Sequence, residues 1–113
     1  MKIVKTVLLV VAVIGLVFTL TYAGGDAARG EALFNDTNFA GATSGKSCST
    51  CHPDGRGLEN AGDKEEFRIM GKTQKSLEEA VNICIEQAIH GKAIDPVSEE
   101  MQDIVAYIMS LKK

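Results

Sequence analysis

Two cysteines three residues apart, with a histidine directly after the second, constrain this 113-residue chain more than any other feature: Cys48-Ser49-Thr50-Cys51-His52. A helical turn carries side chains at i and i+3 to one side, so two such thiols can add across the two vinyl groups of a single haem. The imidazole that follows then lies beneath the iron and binds it through one ring nitrogen. The spacing predicts one covalent haem c, with Cys48 and Cys51 as thioether residues and His52 as an axial ligand. Its other nitrogen needs an acceptor to fix the ring. Competing uses of these residues fit less well. Zinc could draw on Cys48, Cys51, Cys84 and His90 as a Cys3His set, but the helical phase turns His90 away from Cys84. A thioredoxin-type C-x-x-C needs a strand before it and a helix after it, whereas a Gly- and Ser-rich stretch precedes and His-Pro-Asp-Gly follows. A disulfide between Cys48 and Cys51 would close a tiny, strained ring.

The N-terminus places the chain. Two lysines in MKIVK lead into TVLLVVAVIGLVFTL, which carries no charge, and small residues follow in TYAGG. That is the pattern of a signal peptide over residues 1–23 with cleavage after Ala23. The apolar run is shorter than the roughly 20 residues a spanning helix needs; left uncleaved, it would act as an anchor, and membrane association is expected only through this segment. The expected location is the periplasm or another exported compartment, which suits haem c, since that group is attached outside the cytoplasm. Oxidising surroundings also make thiols pair, so a third, odd cysteine at Cys84 needs a reason.

The remaining 24–113 segment is expected to form one domain. It holds ten Lys and Arg against fifteen Asp and Glu, a formal charge of −5. Nucleic acid rewards clustered cations, so no nucleic-acid partner is expected; redox partner proteins with a basic docking patch fit the net charge better. A chain this short builds a marginal core, and it has no Trp. Small domains of this kind lean on a disulfide, a metal or a cofactor, and the composition leaves room for a bulky apolar group at the centre.

Local pattern predicts an all-α domain. In GDAARGEALFND, Asp26 caps a short helix whose Gly30 costs about 1 kcal/mol against Ala, so a packing reason is expected. NFAGATSGKS reads as a loop, and PDGRGLENAGDKEEFRIMGKTQ holds at most a helical turn near Lys64 to Phe67. SLEEAVNICIEQAIHG is the clearest helix, with Ser76 and Glu79 as a capping box and Gly91 as the stop. Leu77, Val81, Cys84 and Ala88 fall on one stripe of it. In SEEMQDIVAYIMSLKK, Ser98 caps, Glu99 and Glu100 favour the positive end, and Met101, Ile104, Val105, Ile108 and Leu111 form the buried stripe. No strand is expected.

Taken with the C-x-x-C-H motif, a first helix with Gly30 and Phe34 and a last helix ending DIVAYIMSL resemble class I cytochrome c. The resemblance spans the chain after residue 23 and implies about four short helices around one covalent haem. It also implies that the first and last helices cross closely, with Gly30 permitting the approach and Tyr107 packing at the crossing. Two features depart from the ordinary family: Asn35 to Ser47 separate Phe34 from the haem motif, and no methionine lies between Gly91 and Ser98. With SLEEAVNICI, GKAID and SEEMQDIVAYI, these departures are similar to the cytochrome domains of thiosulfate dehydrogenases and of the haem-bearing A subunit of the Sox complex. In that branch a cysteine ligates the iron, and the matching position is Cys84.

Four side chains compete for the iron's sixth position. Cys84 lies centrally on the buried stripe of a well-capped helix, and thiolate is a haem ligand. Met101 also sits on a buried stripe, where methionine is ordinarily core. Met70, in FRIMGKT, lies on an irregular stretch, and His90 has the wrong helical phase. The expected function is that of an exported monohaem one-electron carrier, without catalytic residues. The alternative is a haem subunit of a thiosulfate or sulfur-compound oxidoreductase with a cysteine-ligated iron.

Overall fold

The computed structural model describes residues 25–112; residues 1–23, expected to be a signal peptide, lie outside them. In chain order the elements are α1 (Ala27–Phe34), α2 (Cys48–Cys51), β1 (Phe67–Ile69), β2 (Lys72–Gln74), α3 (Leu77–Gln87) and α4 (Glu99–Ser110), with 3-10 turns at Phe39–Gly41, Pro53–Gly55 and Ala61–Asp63. Among the described residues no helix is long and apolar enough to cross a membrane.

The frame is the crossing of α1 and α4, the most extensive helix contact in the fold. Asp26 starts α1 as its carboxylate accepts the N–H groups of Ala28 (2.9 Å) and Arg29 (3.2 Å). Gly30 is buried, and a Cβ there would run into the Asp103 carbonyl and come within 2.9 Å of Tyr107 Cβ. Its absent side chain is what lets the backbones approach, so the helix-weakening glycine has the packing reason its position demanded. Phe34 and Tyr107 close the crossing with ring centroids 5.1 Å apart and planes tilted by 59°. Asp103 is buried at the same seam, where its carboxylate accepts the Asp26 N–H at 2.7 Å. The α4 stripe thus carries two buried residues, Asp103 and Tyr107, besides the expected Met101, Ile104 and Ile108.

Ser76 caps α3 by accepting the Glu79 N–H at 3.1 Å, while the Glu79 carboxylate reaches past Ser76 to the Lys75 N–H at 3.0 Å. The other end departs from expectation. His90, not Gly91, takes the left-handed conformation, at φ +55°. Gly91 instead makes room: a Cβ there would sit 2.8 Å from the Ala40 carbonyl oxygen and 3.1 Å from Ile85. The segment between Phe34 and α2 causes this. Thr43 and Ser44 donate to the Ile89 carbonyl (3.2 and 3.3 Å), and Lys92 donates to the Ala40 carbonyl at 2.9 Å. The residues between Phe34 and α2 thus pair with the chain just past the end of α3, at the Ile89 carbonyl and the Lys92 N–H. Asn82 ties down the next stretch by donating to the Ile94 carbonyl (2.9 Å) and accepting its N–H (2.8 Å).

The all-α expectation is corrected by β1 and β2. They form an antiparallel hairpin pairing Phe67 with Gln74, Arg68 with Thr73 and Ile69 with Lys72. The helical turn expected near Lys64 to Phe67 falls earlier, at Ala61–Asp63. Three-residue strands leave too little alternation to read as period two, and the turn chemistry is unusual. Met70 and Gly71 both have positive φ, +51° and +81°, as a type I′ turn requires, but Asn or Gly ordinarily fills the first place. A side chain held there costs roughly 1–2 kcal/mol. Met70→Asn is therefore expected to raise stability by about 0.5–1 kcal/mol, read as a higher denaturation midpoint with unchanged slope.

Candidate functional site

The site grows out of α2, a single turn. The Ser47 N–H donates to Thr50 Oγ1 at 2.9 Å, and Ser47 Oγ lies 2.7 Å from Ser49 Oγ with Ser47 itself buried. Closing the turn this way sets Cys48 and Cys51 on one side of it. The chain then reverses through Pro53–Gly55, where Asp54 and Gly55 have φ of +53° and +75°. The reversal returns the Arg56 carbonyl oxygen to His52 Nδ1 at 2.8 Å. A carbonyl only accepts, so Nδ1 carries the proton, and Nε2 keeps its lone pair for a ligand bond. This is the acceptor that a ligating imidazole needs.

These residues open onto an apolar cavity of about 120 Å³ that is partly open to solvent. Cys48, Cys51 and His52 line it from α2 and its end, and Cys84 lines it from α3. Most of the remaining lining is apolar: Phe34 from α1, Leu58, Phe67 and Ile69 from the hairpin, Val81 from α3 and Ile104 from α4. Each of the four helices and β1 contributes to the wall.

Among the four competitors for the sixth position, the structure brings only Cys84 to this cavity. Met101 is fully buried in the core and borders a separate surface cleft with Gln102 and Met109. Met70 is 65 % exposed at the hairpin tip. His90 is exposed beyond the end of α3, and its carbonyl accepts the Thr43 hydroxyl at 3.2 Å. Zinc in a structural site takes four donors at about 2.0–2.3 Å from one point. Among the described residues no group of three or more His, Cys, Asp or Glu side chains is gathered to hold a metal ion. Cys48, Cys51, His52 and Cys84 instead line one apolar, partly open cavity.

All three cysteines are free thiols. Burial pushes the Cys48 thiol from an ordinary 9.0 up to about 11, helped by the facing thiols of Cys84 and Cys51. Burial also raises Cys84, with Cys51 adding to the effect. Above pH 9 an unfolded chain loses the Cys48 proton while the folded chain keeps it, so folded stability falls with rising pH. The chain before any modification of its thiols is expected to lose on the order of 1–3 kcal/mol between pH 9 and 11. Urea titrations at pH 8 and pH 10.5 check this; Cys48→Ser should flatten the difference.

Two contributions were not anticipated from sequence. The hairpin supplies Phe67 and Ile69 to the cavity, and the Arg56 carbonyl orients His52. A signal for the second was present in Pro-Asp-Gly-Arg-Gly, whose turn-forming residues force a reversal directly after the histidine. Comparison with known proteins found no match to this chain among protein-family models, curated proteins or solved structures. The site rests on its own geometry.

Proposed function

We propose that the protein is an exported monohaem c-type cytochrome that carries one electron at a time. The observation that carries this reading is the convergence of Cys48, Cys51, His52 and Cys84 on a single apolar cavity. Cys48 and Cys51 would hold the haem by thioether bonds, His52 would offer Nε2 to the iron, and Cys84 would offer its sulfur from α3. The bound haem supplies a one-electron iron couple. The chain's own residues do the rest. The Arg56 carbonyl fixes the imidazole through Nδ1, the apolar walls exclude water, and the crossing of α1 and α4 keeps Phe34 and Ile104 in place behind the cavity. In this reading the fold is the small cytochrome c fold that the sequence resembles, with a β-hairpin added to the cavity wall. Residues 1–23 serve as the export signal.

The decisive experiment is on purified protein from an exporting host with haem-attachment machinery. The intact mass should equal the chain from Gly24 plus one haem, and the colour should survive acid–acetone extraction. Cys48→Ala together with Cys51→Ala should abolish the attachment. Extractable colour, or bound zinc in place of haem, would overturn the proposal.

The presence of Cys84 in the cavity also fits a second reading, a haem subunit acting on thiosulfate or a related sulfur compound. Sustained turnover of thiosulfate with an artificial acceptor by the isolated chain, lost on Cys84→Ala, would favour that reading over the carrier. The carrier reading expects none.

A further inference from the structure

The 24–113 segment is acidic as a whole, but the part of it beside the cavity is not. From Phe67 to Lys75 the chain carries Arg68, Lys72 and Lys75 and no acidic residue. All three are exposed, and none is in an ion pair among the described residues, where the pairs join Arg29 to Asp26 and Glu99, and Lys112 to Asp63. Acidic residues flank the stretch in sequence: Glu65 and Glu66 precede β1, and Glu78 and Glu79 open α3, where Glu79 turns its carboxylate to the Lys75 backbone N–H. Arg68 and Lys72, nearer the hairpin tip, are exposed and outside the ion pairs among the described residues.

The ladder places them. Lys72 is paired directly with Ile69, and residues opposite each other in an antiparallel pair share a face. Ile69 lines the cavity, so Lys72 sits on the cavity side of the hairpin, and Arg68, one residue along β1, sits on the outer side. Between them, at the tip, Met70 is 65 % exposed and held at a φ of +51°. An exposed apolar side chain kept in a conformation it resists points to use rather than neglect. An apolar tip with charges around it also has the anatomy of a docking contact, with an apolar centre and a polar rim.

Net charge and local charge therefore favour opposite partners. At physiological ionic strength the Debye length is about 8 Å, so a partner touching the hairpin feels Arg68 and Lys72 strongly and the far acidic surface weakly. We infer that the β1–β2 hairpin is the docking surface for the redox partner, and that it fits an acidic protein patch, with Met70 as the apolar contact and Arg68 and Lys72 as the charged rim. This inference rests on the carrier reading only for the word redox. The hairpin packs chiefly on α3, so a protein docked there lies against the wall that closes the cavity.

The test has two arms. In the first, isotope-labelled protein is titrated with poly-L-glutamate and, separately, poly-L-lysine, and backbone amide shifts are followed. Poly-L-glutamate should shift residues 68–75 first, and Arg68→Glu with Lys72→Glu should weaken its binding at least about tenfold. Met70→Asn, which preserves the turn, should reduce the shifts at the tip without unfolding the chain. As a control, Lys92→Glu and Lys46→Glu should change little. In the second arm, reduced protein gives one electron to hexacyanoferrate(III) or to hexaammineruthenium(III), with no bond formed. The rate with the anionic complex should fall as salt rises despite the net negative charge, and the double reversal at Arg68 and Lys72 should invert that slope. Shifts centred elsewhere, preference of the hairpin for poly-L-lysine, or an anionic rate that rises with salt in the unaltered protein would each overturn the inference. Failure of the carrier reading is recognised separately, as protein without a covalent chromophore, and the first arm still reads the patch.

Discussion

Gly30→Ala is expected to destabilise the protein by about 3 kcal/mol or more, in spite of alanine's advantage in a helix. Two effects oppose each other. Alanine favours an isolated helix by about 1 kcal/mol over glycine. At this site, however, the added methyl would occupy the space of the Asp103 carbonyl and press on Tyr107 Cβ at 2.9 Å. Neither obstacle is the loose end of a flexible side chain, so the two helices must separate. Overpacking in a well-packed core costs about 1–3 kcal/mol, occasionally more. Separation would also loosen the Phe34–Tyr107 contact and the Asp26–Asp103 hydrogen bond across the same seam. Against a total stability on the order of 5 kcal/mol for a small domain, the variant should be partly unfolded at ambient temperature. Urea denaturation followed by circular dichroism measures it. Glu31→Ala, next in sequence but exposed, should stay within about 0.5 kcal/mol of the parent. Equal stability of Gly30→Ala and the parent would show that the helices do not cross as closely as described.

Cys84→Ala and Met101→Ala are expected to have effects of different kinds. Cys84 lines the cavity, whereas Met101 is fully buried outside it. Truncating a buried methionine costs about 2–5 kcal/mol, so Met101→Ala should lower stability strongly while leaving the absorption spectrum of the folded fraction as it was. On the proposed carrier reading, Cys84→Ala should retain the covalent haem, because Cys48 and Cys51 are untouched, yet lose the low-spin thiolate signature in optical and EPR spectra. Burial alone holds the Cys84 thiol protonated, since its pKa is raised by desolvation and by Cys51. A ferric centre bound there would reverse that preference, because coordination deprotonates a thiol outright. Thiolate donates charge and favours the ferric form, so removing it should raise the reduction potential. An unchanged spectrum and potential in Cys84→Ala, with both altered in Met101→Ala or Met70→Ala, would reduce Cys84 to a core residue.

What sequence alone determined here is mostly local. Asp26, Ser76 and Ser98 start helices because a side-chain oxygen can satisfy N–H groups two or three residues ahead, and that geometry needs no distant partner. The sharing of one helical turn by Cys48 and Cys51, followed at once by His52, is likewise a property of adjacent residues. Helical phase was enough to place Leu77, Val81, Cys84 and Ala88 on one face, and all four do line the cavity.

Tertiary structure decided what depended on distant chain. His90 rather than Gly91 is left-handed because the 39–44 loop closes on Ile89 and leaves no room for a side chain at Gly91. The hairpin exists because Phe67 and Ile69 gain burial against the cavity, which outweighs a strained Met70 and a ladder too short to announce itself. Which of Cys84, Met101 and Met70 lines the cavity was likewise beyond periodicity. Met101 and Cys84 both occupy buried stripes, and only the packing of α3 and α4 around the cavity separates a side chain facing that space from one facing the core. Sequence patterns report which face of an element is apolar; which apolar face meets a cavity and which meets another helix is settled when the elements pack.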